Sequence, residues 1–400
     1  MVMERKRVYM DNNATTPVHP EVKKTLIEKM DIFGNPSSMH EFGREAREEV
    51  EQARETISSF IGADPEEFVF TGGGSESNNT VLKYVACGDA SCTMCPASRN
   101  EVITSKIEHP SVLNTAEILG KSGIKVKYVG VDSEGKLDMD EFQDMISDET
   151  ALVSIMLANN EIGTIQDLKV ISRIAHEHGA LMHTDAVQAL GKIPVNVDDL
   201  GVDFMSFSGH KIYGPKGIGG LYVRKGSPFC VFIHGGHQEE GRRAGTLNSL
   251  GIIGFGRAVE LAAEDLDGEM TRLNALKKRL KEGIEARIPD TVTNGHPTDI
   301  LPGTLNISFR GAEGESILLY LDLEGVAVST GSACATGSLD PSHVIIATGL
   351  GAELAHGSIR FGLGRENTEE DVDYVLEKIE PIISRIRTMS TMYSGGGVQV

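Results

Sequence analysis

Residues 151–184 read ALVSIMLANNEIGTIQDLKVISRIAHEHGALMHT, and this segment contains two kinds of hydrophobic pattern. An apolar strand pattern over 151–157 is followed by a helical pattern over 167–178 and by a second strand pattern over 180–184. Alternation of strand and helix is typical of a mainly parallel sheet that helices cover on both faces. In such a sheet, ligands bind beyond the carboxyl ends of the strands.

The same alternation extends from this segment in both directions. Before it, apolar residues spaced by three and four predict an amphipathic helix over 41–60, and Gly62 stands where a helix C-cap is expected. Further strand patterns, most of them separated by helical patterns, occur at residues 68–71, 101–105, 126–131, 203–206 and 219–223. We therefore predict an α/β fold with a mainly parallel, seven-stranded sheet.

The order of the elements changes in the last third of the chain. Residues 249–288 have a helical pattern with charged faces. Beyond residue 294 the patterns are strand 304–309, helix 315–323, strand 326–329, helix 343–350, strand 358–361 and helix 369–386. Because 400 residues usually exceed a single compact core, we predict two domains. The larger domain spans 15–260, and a smaller α+β domain combines 1–14 with 261–400.

The charge balance excludes several classes of function. The chain has 38 Lys and Arg against 58 Asp and Glu, a formal net charge of −20, which argues against binding to nucleic acids or to anionic membrane surfaces. No apolar run approaches the roughly 18 residues of a membrane-spanning helix. The charged residues 1–7 are not followed by the apolar core of a secretory signal, so we predict a cytoplasmic protein. An odd number of cysteines, five, is consistent with a reducing compartment and no disulfide framework.

Two clusters of small and polar residues lie where strands are predicted to end. Residues 71–79, TGGGSESNN, join a strand to a helix, whose free N–H groups and dipole suit a phosphate group, although a capped flexible turn would have the same pattern. Residues 183–188, HTDAVQ, place Asp185 at the end of a buried strand. A carboxylate there needs a partner, such as a protonated ring nitrogen, unless Asp185 is an ordinary helix N-cap.

A third cluster, residues 206–217 with the sequence SFSGHKIYGPKG, contains Lys211 between apolar strand residues and a Gly/Pro turn. Desolvation there would make the Lys211 amine nucleophilic, as Schiff-base chemistry requires, whereas an arbitrary lysine in a loop is usually at the surface. A phosphate site, a carboxylate for a cationic ring and a Schiff-base lysine are together the parts that hold pyridoxal phosphate.

Eight short motifs occur in order along the chain. They are YMDNNATT (9–16), GNPSS (34–38), EHPS (108–111), NNEIG (159–163), SGHK (208–211), AGTL (244–247), SAC (332–334) and IRF (359–361). On these motifs the chain resembles the cysteine desulfurases, which are pyridoxal-phosphate enzymes of fold type I in the class V aminotransferase group. The resemblance runs from residue 9 to about residue 387. It implies this fold, and it implies an activity that removes sulfur from L-cysteine and releases L-alanine.

The resemblance also implies roles for individual residues. Lys211 would form the Schiff base with the cofactor and move the substrate's α-proton, and Asp185 would pair with the pyridinium nitrogen. His109 would stack on the ring and manage protons, and Cys334 would be the nucleophile that takes the sulfur as a persulfide. Further cofactor contacts would come from Gly74, Ser75, Asn160, Gln188, Ser208, His210 and, from the second subunit of a homodimer, Thr246. Substrate contacts would come from Asn35, Asn160 and Arg360. The sulfur acceptor would be an iron–sulfur scaffold or another thiolation protein, and the sequence does not identify it.

Residues 85–96, VACGDASCTMCP, look like an insertion relative to this family. Their C-x4-C-x2-C spacing occurs in plant-type ferredoxin clusters, so Cys87, Cys92 and Cys95 could hold an iron–sulfur cluster or another soft metal. The fourth ligand would then be Cys334, a water, a substrate or a partner protein. The alternative is a surface loop whose thiols bind nothing.

Two other functions fit parts of the sequence. One is a selenocysteine lyase or another class V pyridoxal-phosphate enzyme, although an aminotransferase would not need the Cys334 thiol. The other is a non-catalytic iron–sulfur carrier or sensor built on this scaffold. Such a protein would not need Lys211, Asp185 and Cys334 together.

Overall fold

The computed structural model describes residues 6–85, 99–331, 340–390 and 393. In this part of the chain the strands are β1 (Val8–Tyr9), β2 (Phe68–Thr71), β3 (Glu101–Ser105), β4 (Lys125–Val129), β5 (Thr150–Ser154), β6 (Leu181–Asp185), β7 (Phe204–Ser208), β8 (Gly219–Val223), β9 (Thr291–Asn294), β10 (Thr304–Phe309), β11 (Val326–Ala327), β12 (Ser329–Thr330) and β13 (Ser358–Gly362). The α-helices are α1 (Pro20–Glu28), α2 (Glu41–Ile61), α3 (Gly74–Tyr84), α4 (Pro110–Lys121), α5 (Met139–Met145), α6 (Leu168–Glu177), α7 (Val197–Leu200), α8 (Ser249–Glu264), α9 (Leu266–Arg287), α10 (Gly314–Leu323), α11 (His343–Ala347), α12 (Ala352–His356) and α13 (Glu369–Met389).

The large sheet has seven strands in the order β2-β8-β7-β6-β5-β3-β4. The pairs from β7 through β6, β5 and β3 to β4 are parallel, whereas β8 is antiparallel to both β2 and β7. The prediction of a mainly parallel, seven-stranded sheet is therefore confirmed. Four of the parallel strands, β3, β5, β6 and β7, end at the same edge, which brings the residues after them together.

Both faces of this sheet are buried. Ile103, Val153 and Met205 pack into one hydrophobic cluster, which also contains residues of α2, α6 and α8. Their neighbours Val102, Leu152 and Phe204 pack into a second cluster, with α3 and α4. Because successive side chains of a strand point to opposite faces, this division places helices on both sides of the sheet.

A second unit contains a four-stranded antiparallel sheet, β12-β13-β10-β9, and its helices α9, α10 and α13 share one apolar core with it. Strand β1 pairs in parallel with β11. Val8 of β1 and the adjacent Met10 lie in the same apolar core as the helices of this unit. The domain boundaries at 15–260 and at 1–14 with 261–400 stay a prediction.

Two predicted elements of this unit differ from the structure. The strand expected at 326–329 is divided, because β11 pairs with β1 whereas β12 pairs with β13. The helix expected at 343–350 is shorter and is followed by a second one, since α11 ends at Ala347 and α12 begins at Ala352. Between them Gly349 has a φ of 87°, which a right-handed helix does not allow.

A small apolar cluster joins the two units near the ends of the parallel strands. Val344 and Ile345 of α11 pack with Ile107, Met156 and Ile162, which follow β3 and β5. This cluster places α11 beside the cavity described below. In the described part of the chain, no helix combines the length and the apolar character needed to cross a membrane.

Candidate active site

A cavity of about 360 Å³ lies at the carboxyl ends of the parallel strands. Asp185 ends β6 and Ser208 ends β7, while His109 and Asn160 follow β3 and β5, so four neighbouring strands supply its walls. The full set of lining residues is Asn13, Ala14, Gly74, Ser75, Asn78, His109, Ser111, Met156, Ala158, Asn160, Asp185, Val187, Gln188, Ser208, His210, Lys211 and Arg360.

One end of the cavity is the N-terminus of α3. Gly74 and Ser75 begin this eleven-residue helix, and Ser208 and His210 face the same space. Burial lowers the pKa of His210 to about 4, and the charge of Lys211 acts in the same direction, so this imidazole is neutral at pH 7. Helix N–H groups and a hydroxyl then provide an electropositive set of donors of the kind that binds phosphate.

Asp185 lies on the cavity floor and is held by two donors. Its Oδ2 accepts a hydrogen bond from Asn78 Nδ2 at 2.7 Å, and its Oδ1 accepts one from the Val187 N–H at 2.9 Å. Asn78 lies on the same face of α3 as Gly74, one turn further along the helix. The carboxylate is therefore fixed in direction, which favours a defined contact with a cationic group.

His109 lies at the N-terminus of α4, where its Nδ1 accepts a hydrogen bond from the Ser111 N–H at 3.1 Å. The Ser111 hydroxyl contacts the same nitrogen at 2.8 Å. Burial lowers the pKa of His109; the charge of Asp185 opposes this effect, and the charges of Lys211 and His343 reinforce it. Because Nδ1 accepts, we assign the proton of the neutral ring to Nε2.

Lys211 is the last residue of a short 3-10 turn, Gly209–Lys211, directly after β7. Its Nζ donates to the carbonyl oxygens of Asn13 and Ala14, both at 2.7 Å. Two residues later, Tyr213 has a φ of 67°, which is a strained value for a bulky side chain. Its N–H donates to Thr16 Oγ1 at 2.7 Å, so the N-terminal segment fixes the turn that presents the lysine.

The amides Gln188 and Asn160 and the guanidinium of Arg360 also line the cavity. Gln188 Nε2 donates to the backbone carbonyl oxygen of Asn13 at 2.9 Å. Arg360 Nη1 donates to the backbone carbonyl oxygen of Asn160 at 3.0 Å. Arg360 also donates from Nη2 to Asp11 Oδ1 at 2.9 Å, and it is only 2 % exposed. Its Nε is buried with no hydrogen-bond partner among the described residues. The guanidinium therefore retains capacity for an anionic ligand in the cavity.

The cavity thus contains most of the predicted site residues. Nine of the ten predicted cofactor residues line it, and the tenth, Thr246, does not. The predicted substrate residue Arg360 also lines it. Thr246 and Asn35 are exposed and lie outside it. Cys334 lies outside the described residues, as do Cys87, Cys92 and Cys95.

The metal prediction therefore stays a prediction. In the described ranges, no group of three or more His, Cys, Asp or Glu side chains could hold a metal ion. The described residues on either side of the three cysteines are Val85, after α3, and Arg99, which donates to the backbone carbonyl oxygens of Thr150 and His178. Thr150 begins β5 and His178 precedes β6, so these flanks lie at the edge of the sheet opposite the cavity.

Seven lining residues had no assigned role in the sequence, among them the four that make the following contacts. Asn13 and Ala14 accept from Lys211, Asn78 donates to Asp185, and Ser111 contacts His109. All four lie within the motifs or clusters quoted above, so the signal was present. Spacing alone does not say that residue 13 meets residue 211, because that contact depends on the tertiary path of the N-terminal segment.

A family model named aminotransferase class V matches residues 8–375. The chain belongs to the class V aminotransferase family. Among curated class V relatives, it is 50% identical over 390 residues to "Cysteine desulfurase IscS" of Dictyoglomus turgidum, covering 96% of this chain and 97% of the relative. It is 46% identical over 390 residues to the protein of the same name from Methanosarcina thermophila, covering 97% and 95%.

Solved structures agree with this assignment. A "NifS-like protein" superposes with a TM-score of 0.88 at 41% identity, covering 95% of this chain and 100% of that chain. A NifS-like protein from Rickettsia africae superposes with a TM-score of 0.85 at 32% identity, again covering 95% and 100%. The prediction that this is a cysteine desulfurase-type member of the class V family, with fold type I, is confirmed.

The cavity fits pyridoxal phosphate, the cofactor of this family, by the chemistry of its donors. The α3 N-terminus with Ser75 and Ser208 suits the phosphate, and the fixed carboxylate of Asp185 suits a protonated ring nitrogen. Lys211 lies at the same cavity, where its amine can meet the aldehyde carbon. When bound, the cofactor supplies an electron sink for the α-carbon of an amino acid.

Proposed function

We propose that the chain is a cysteine desulfurase that converts L-cysteine to L-alanine and keeps the sulfur as a persulfide on Cys334. The observation that supports this proposal is the convergence of Lys211, Asp185, His109 and Arg360 on one cavity. A lysine, a carboxylate, a neutral imidazole and a guanidinium are the groups that amino-acid chemistry at this cofactor requires.

Proton transfer at the substrate falls to Lys211. Two backbone carbonyls bind its amine at the cavity wall, which holds the Nζ atom within the site when it is not bonded to another group. Held there, it removes the α-proton and returns a proton as general acid and base. His109 presents Nε2 with its proton, because Nδ1 accepts from Ser111, and this proton can be delivered to the carbon that keeps the electron pair when the carbon–sulfur bond breaks.

Arg360 binds the substrate carboxylate in this proposal. Its guanidinium lies between Asp11 and the Asn160 carbonyl and is almost fully buried, so an anion reaches it only through the cavity. A planar carboxylate matches the fork of donors on a guanidinium, which makes such a contact directional. The substrate's α-carbon is thereby oriented toward Lys211.

The Cys334 thiolate attacks the sulfur of bound cysteine in the next step. A sulfur–sulfur bond forms, the carbon–sulfur bond breaks, and the carbon keeps the electron pair and takes a proton. The products are L-alanine and the Cys334 persulfide, so no external oxidant or reductant is needed. An acceptor thiolate, on an iron–sulfur scaffold or another thiolation protein, then receives the outer sulfur. We expect these steps to take place in the cytoplasm.

The working form in this proposal is a homodimer. Thr246 and Asn35 lie outside the chain's own cavity, and residues near both of them, Pro36 and Leu247, line one surface cleft. Close to Asn35 and Pro36 in the sequence is a group of exposed apolar side chains that we call the α1–α2 apolar patch: Ile27, Met30, Phe33, Met39 and Phe42. Covering this patch with a second copy would bury it and bring Thr246 and Asn35 to the partner's cavity.

Two substitutions test the activity. Lys211→Ala should lower L-alanine release from L-cysteine by at least about 100-fold, because the proton carrier is removed. Cys334→Ser should still give a change in cofactor absorbance with L-cysteine but no protein persulfide by mass spectrometry. Retained L-alanine release in Lys211→Ala, or persulfide in Cys334→Ser, would reject the proposal.

Two matched controls accompany these variants. Lys216→Ala removes an exposed lysine of the same loop, and Cys230→Ser removes a described cysteine that belongs to none of the eight motifs. Both should keep wild-type rates. Comparing L-cysteine with L-selenocysteine separates a desulfurase from a selenocysteine lyase, which would release alanine only from the latter.

A further inference from the structure

Glu161 is a buried carboxyl group that the steps above do not use. It follows Asn160 in the turn after β5, and its side chain is almost fully buried. Its Oε2 accepts a hydrogen bond from Ser342 Oγ at 2.5 Å. Burial raises the pKa of Glu161 to about 7, because removal from water disfavours the charged form. The hydrogen bond from Ser342 lowers the pKa but does not offset this effect.

Gly331 packs against the same carboxyl group. A Cβ atom at this position would lie 2.6 Å from Glu161 Oε2 and 3.0 Å from Ser342 Cβ. Only a residue without a side chain allows this approach. Gly331 and Ser342 flank the segment that contains Cys334, and both flanks therefore meet at one buried oxygen of Glu161.

The flank after this segment is anchored at two further points. His343 Nε2 lies 3.0 Å from the backbone carbonyl oxygen of Glu108, and Glu108 directly precedes His109 in the chain. The next two side chains, Val344 and Ile345, are fully buried in the cluster with Ile107, Met156 and Ile162. These contacts tie the chain to the turns after β3 and β5, and both of those turns line the cavity.

Chain length makes the other flank equally important. Cys334 follows Gly331 by three residues, and three residues span at most roughly 11 Å. Gly331, at the start of this short stretch of chain, is held against the Glu161 turn. That turn includes Asn160, which lines the cavity.

We propose that Glu161 is a positioning residue for sulfur transfer: bonded to Ser342 and packed against Gly331, it fixes both flanks of the Cys334 segment relative to the cofactor cavity. The proposal rests on the proposed function, in which Cys334 takes the sulfur. Glu161 does not touch the substrate in this role, and it acts through the backbone that leads to the thiol.

The test separates substrate binding from persulfide formation. In Glu161→Ala, the absorbance change of the holoenzyme with L-cysteine should keep its half-saturating concentration within about twofold, because no cavity contact is removed. Single-turnover persulfide formation on Cys334, followed by thiol alkylation and mass spectrometry, should slow by roughly 10- to 100-fold. Misplacing a reacting group by about 1 Å lowers a reaction rate by this order. Hydrogen exchange of residues 340–347, measured without substrate, should become faster.

Three further variants make the result specific. Glu161→Gln keeps a side-chain oxygen that accepts from Ser342, so it should restore most of the persulfide rate. Gly331→Ala introduces the methyl group that the carboxyl excludes and should reproduce the slow persulfide step even if Glu161→Ala folds poorly. Gly351→Ala, where a Cβ meets no atom within 4 Å, is the matched control and should behave as wild type.

Several outcomes overturn the proposal. Wild-type persulfide rates in both Glu161→Ala and Gly331→Ala would show that the flanks need no anchor. An equal loss of the absorbance response and of persulfide formation would assign Glu161 to the cavity itself. A wild-type protein that forms no persulfide would reject the proposed function and this proposal with it, so the two failures are distinguishable.

Discussion

Two carboxyl groups near the cavity have opposite environments. Asp185 accepts from two donors, which stabilise its charge, whereas Glu108 is fully buried and its Oε2 has no hydrogen-bond partner among the described residues. Glu108 Oε1 accepts from Ser105 Oγ at 2.6 Å and from the Met156 N–H at 2.9 Å. These bonds do not compensate for burial, which raises the pKa of Glu108 to about 8 with a further increase from the charge of Asp185.

The buried Glu108 carboxyl makes folding stability depend on pH. Its pKa rises from 4.5 in the unfolded chain to about 8 in the folded one, so the native state binds the extra proton between these values. The stability that this protonated carboxyl gives the folded state is fully present below pH 4.5 and is lost as pH rises through about 8. The free energy of unfolding falls by at most about 1.4 kcal/mol per pH unit. Glu108→Gln, which cannot ionise, should therefore gain thermal stability relative to wild type between pH 5 and pH 9.

Melting temperatures of the two proteins at pH 5, 7 and 9 measure this effect. Glu117→Gln, a change at an exposed carboxyl of α4, serves as the control and should show no such trend. A difference between Glu108→Gln and wild type that stays constant across the three pH values would contradict the prediction.

At this scale the sequence predicted the identity of most cavity residues but not how they contact one another. The motifs indicated Lys211, Asp185 and His109, which the structure brings to one cavity. The contacts of Lys211 with Asn13 and of Glu161 with Ser342 join residues about 200 positions apart, and no local pattern reports them.

The loop before α8 is stabilised by a buried ion pair. Glu239 and Glu240 have φ values of 48° and 56°, a conformation that costs non-glycine residues about 1–3 kcal/mol each. Arg54 of α2 donates to both Glu239 oxygens, at 2.8 and 2.9 Å, and the Phe70 N–H donates to one of them at 2.8 Å. This pair therefore keeps the strained loop against strand β2, which contains Phe70.

Removing one partner of this pair should be costly. Arg54→Ala leaves the Glu239 carboxylate buried and unpaired, so we expect the free energy of unfolding to fall by about 3–5 kcal/mol in urea titrations. Arg279→Ala is the matched control, because Arg279 forms an exposed ion pair with Asp373 and should hardly change the midpoint. An equal, small effect of both substitutions would show that the buried pair does not stabilise the loop.

Element positions followed closely from periodicity, since the seven strands of the large sheet lie within three residues of their predicted bounds. The exceptions have a tertiary cause. Strand pattern 326–329 shows no break, yet its two halves pair with different partners, β1 and β13. Strand β9, which was not predicted, has a short, polar sequence that becomes a strand by pairing with β10.

The α1–α2 apolar patch is a property of the whole molecule. Phe33 and Phe42 have ring centroids 5.3 Å apart, and they are 76% and 53% exposed, with Met39 at 89%. Apolar side chains clustered in this way at a surface are typical of an interface. We therefore expect wild-type protein to have twice the 43.1 kDa chain mass in light scattering.

Charges in this patch should separate the subunits. Phe33→Glu with Met39→Glu should give a 43.1 kDa species and reduce L-alanine release, because each cavity then lacks the residues supplied by the other copy. Leu319→Glu, at an exposed leucine of α10 that is 62% exposed, is the control and should leave the mass unchanged. A wild-type mass of 43.1 kDa would contradict the dimer proposal.

The pairing of β1 with β11 has a consequence for synthesis on the ribosome. Val8 pairs with Val326, which follows it by 318 residues. At elongation rates of about 5–20 residues per second, the first strand waits roughly 15–60 s for its partner to be translated. During that time the seven strands of the large sheet can already assemble, since the last of them ends at Val223. The pairing of β1 with β11 in the second unit can therefore form only after Val326 has been translated.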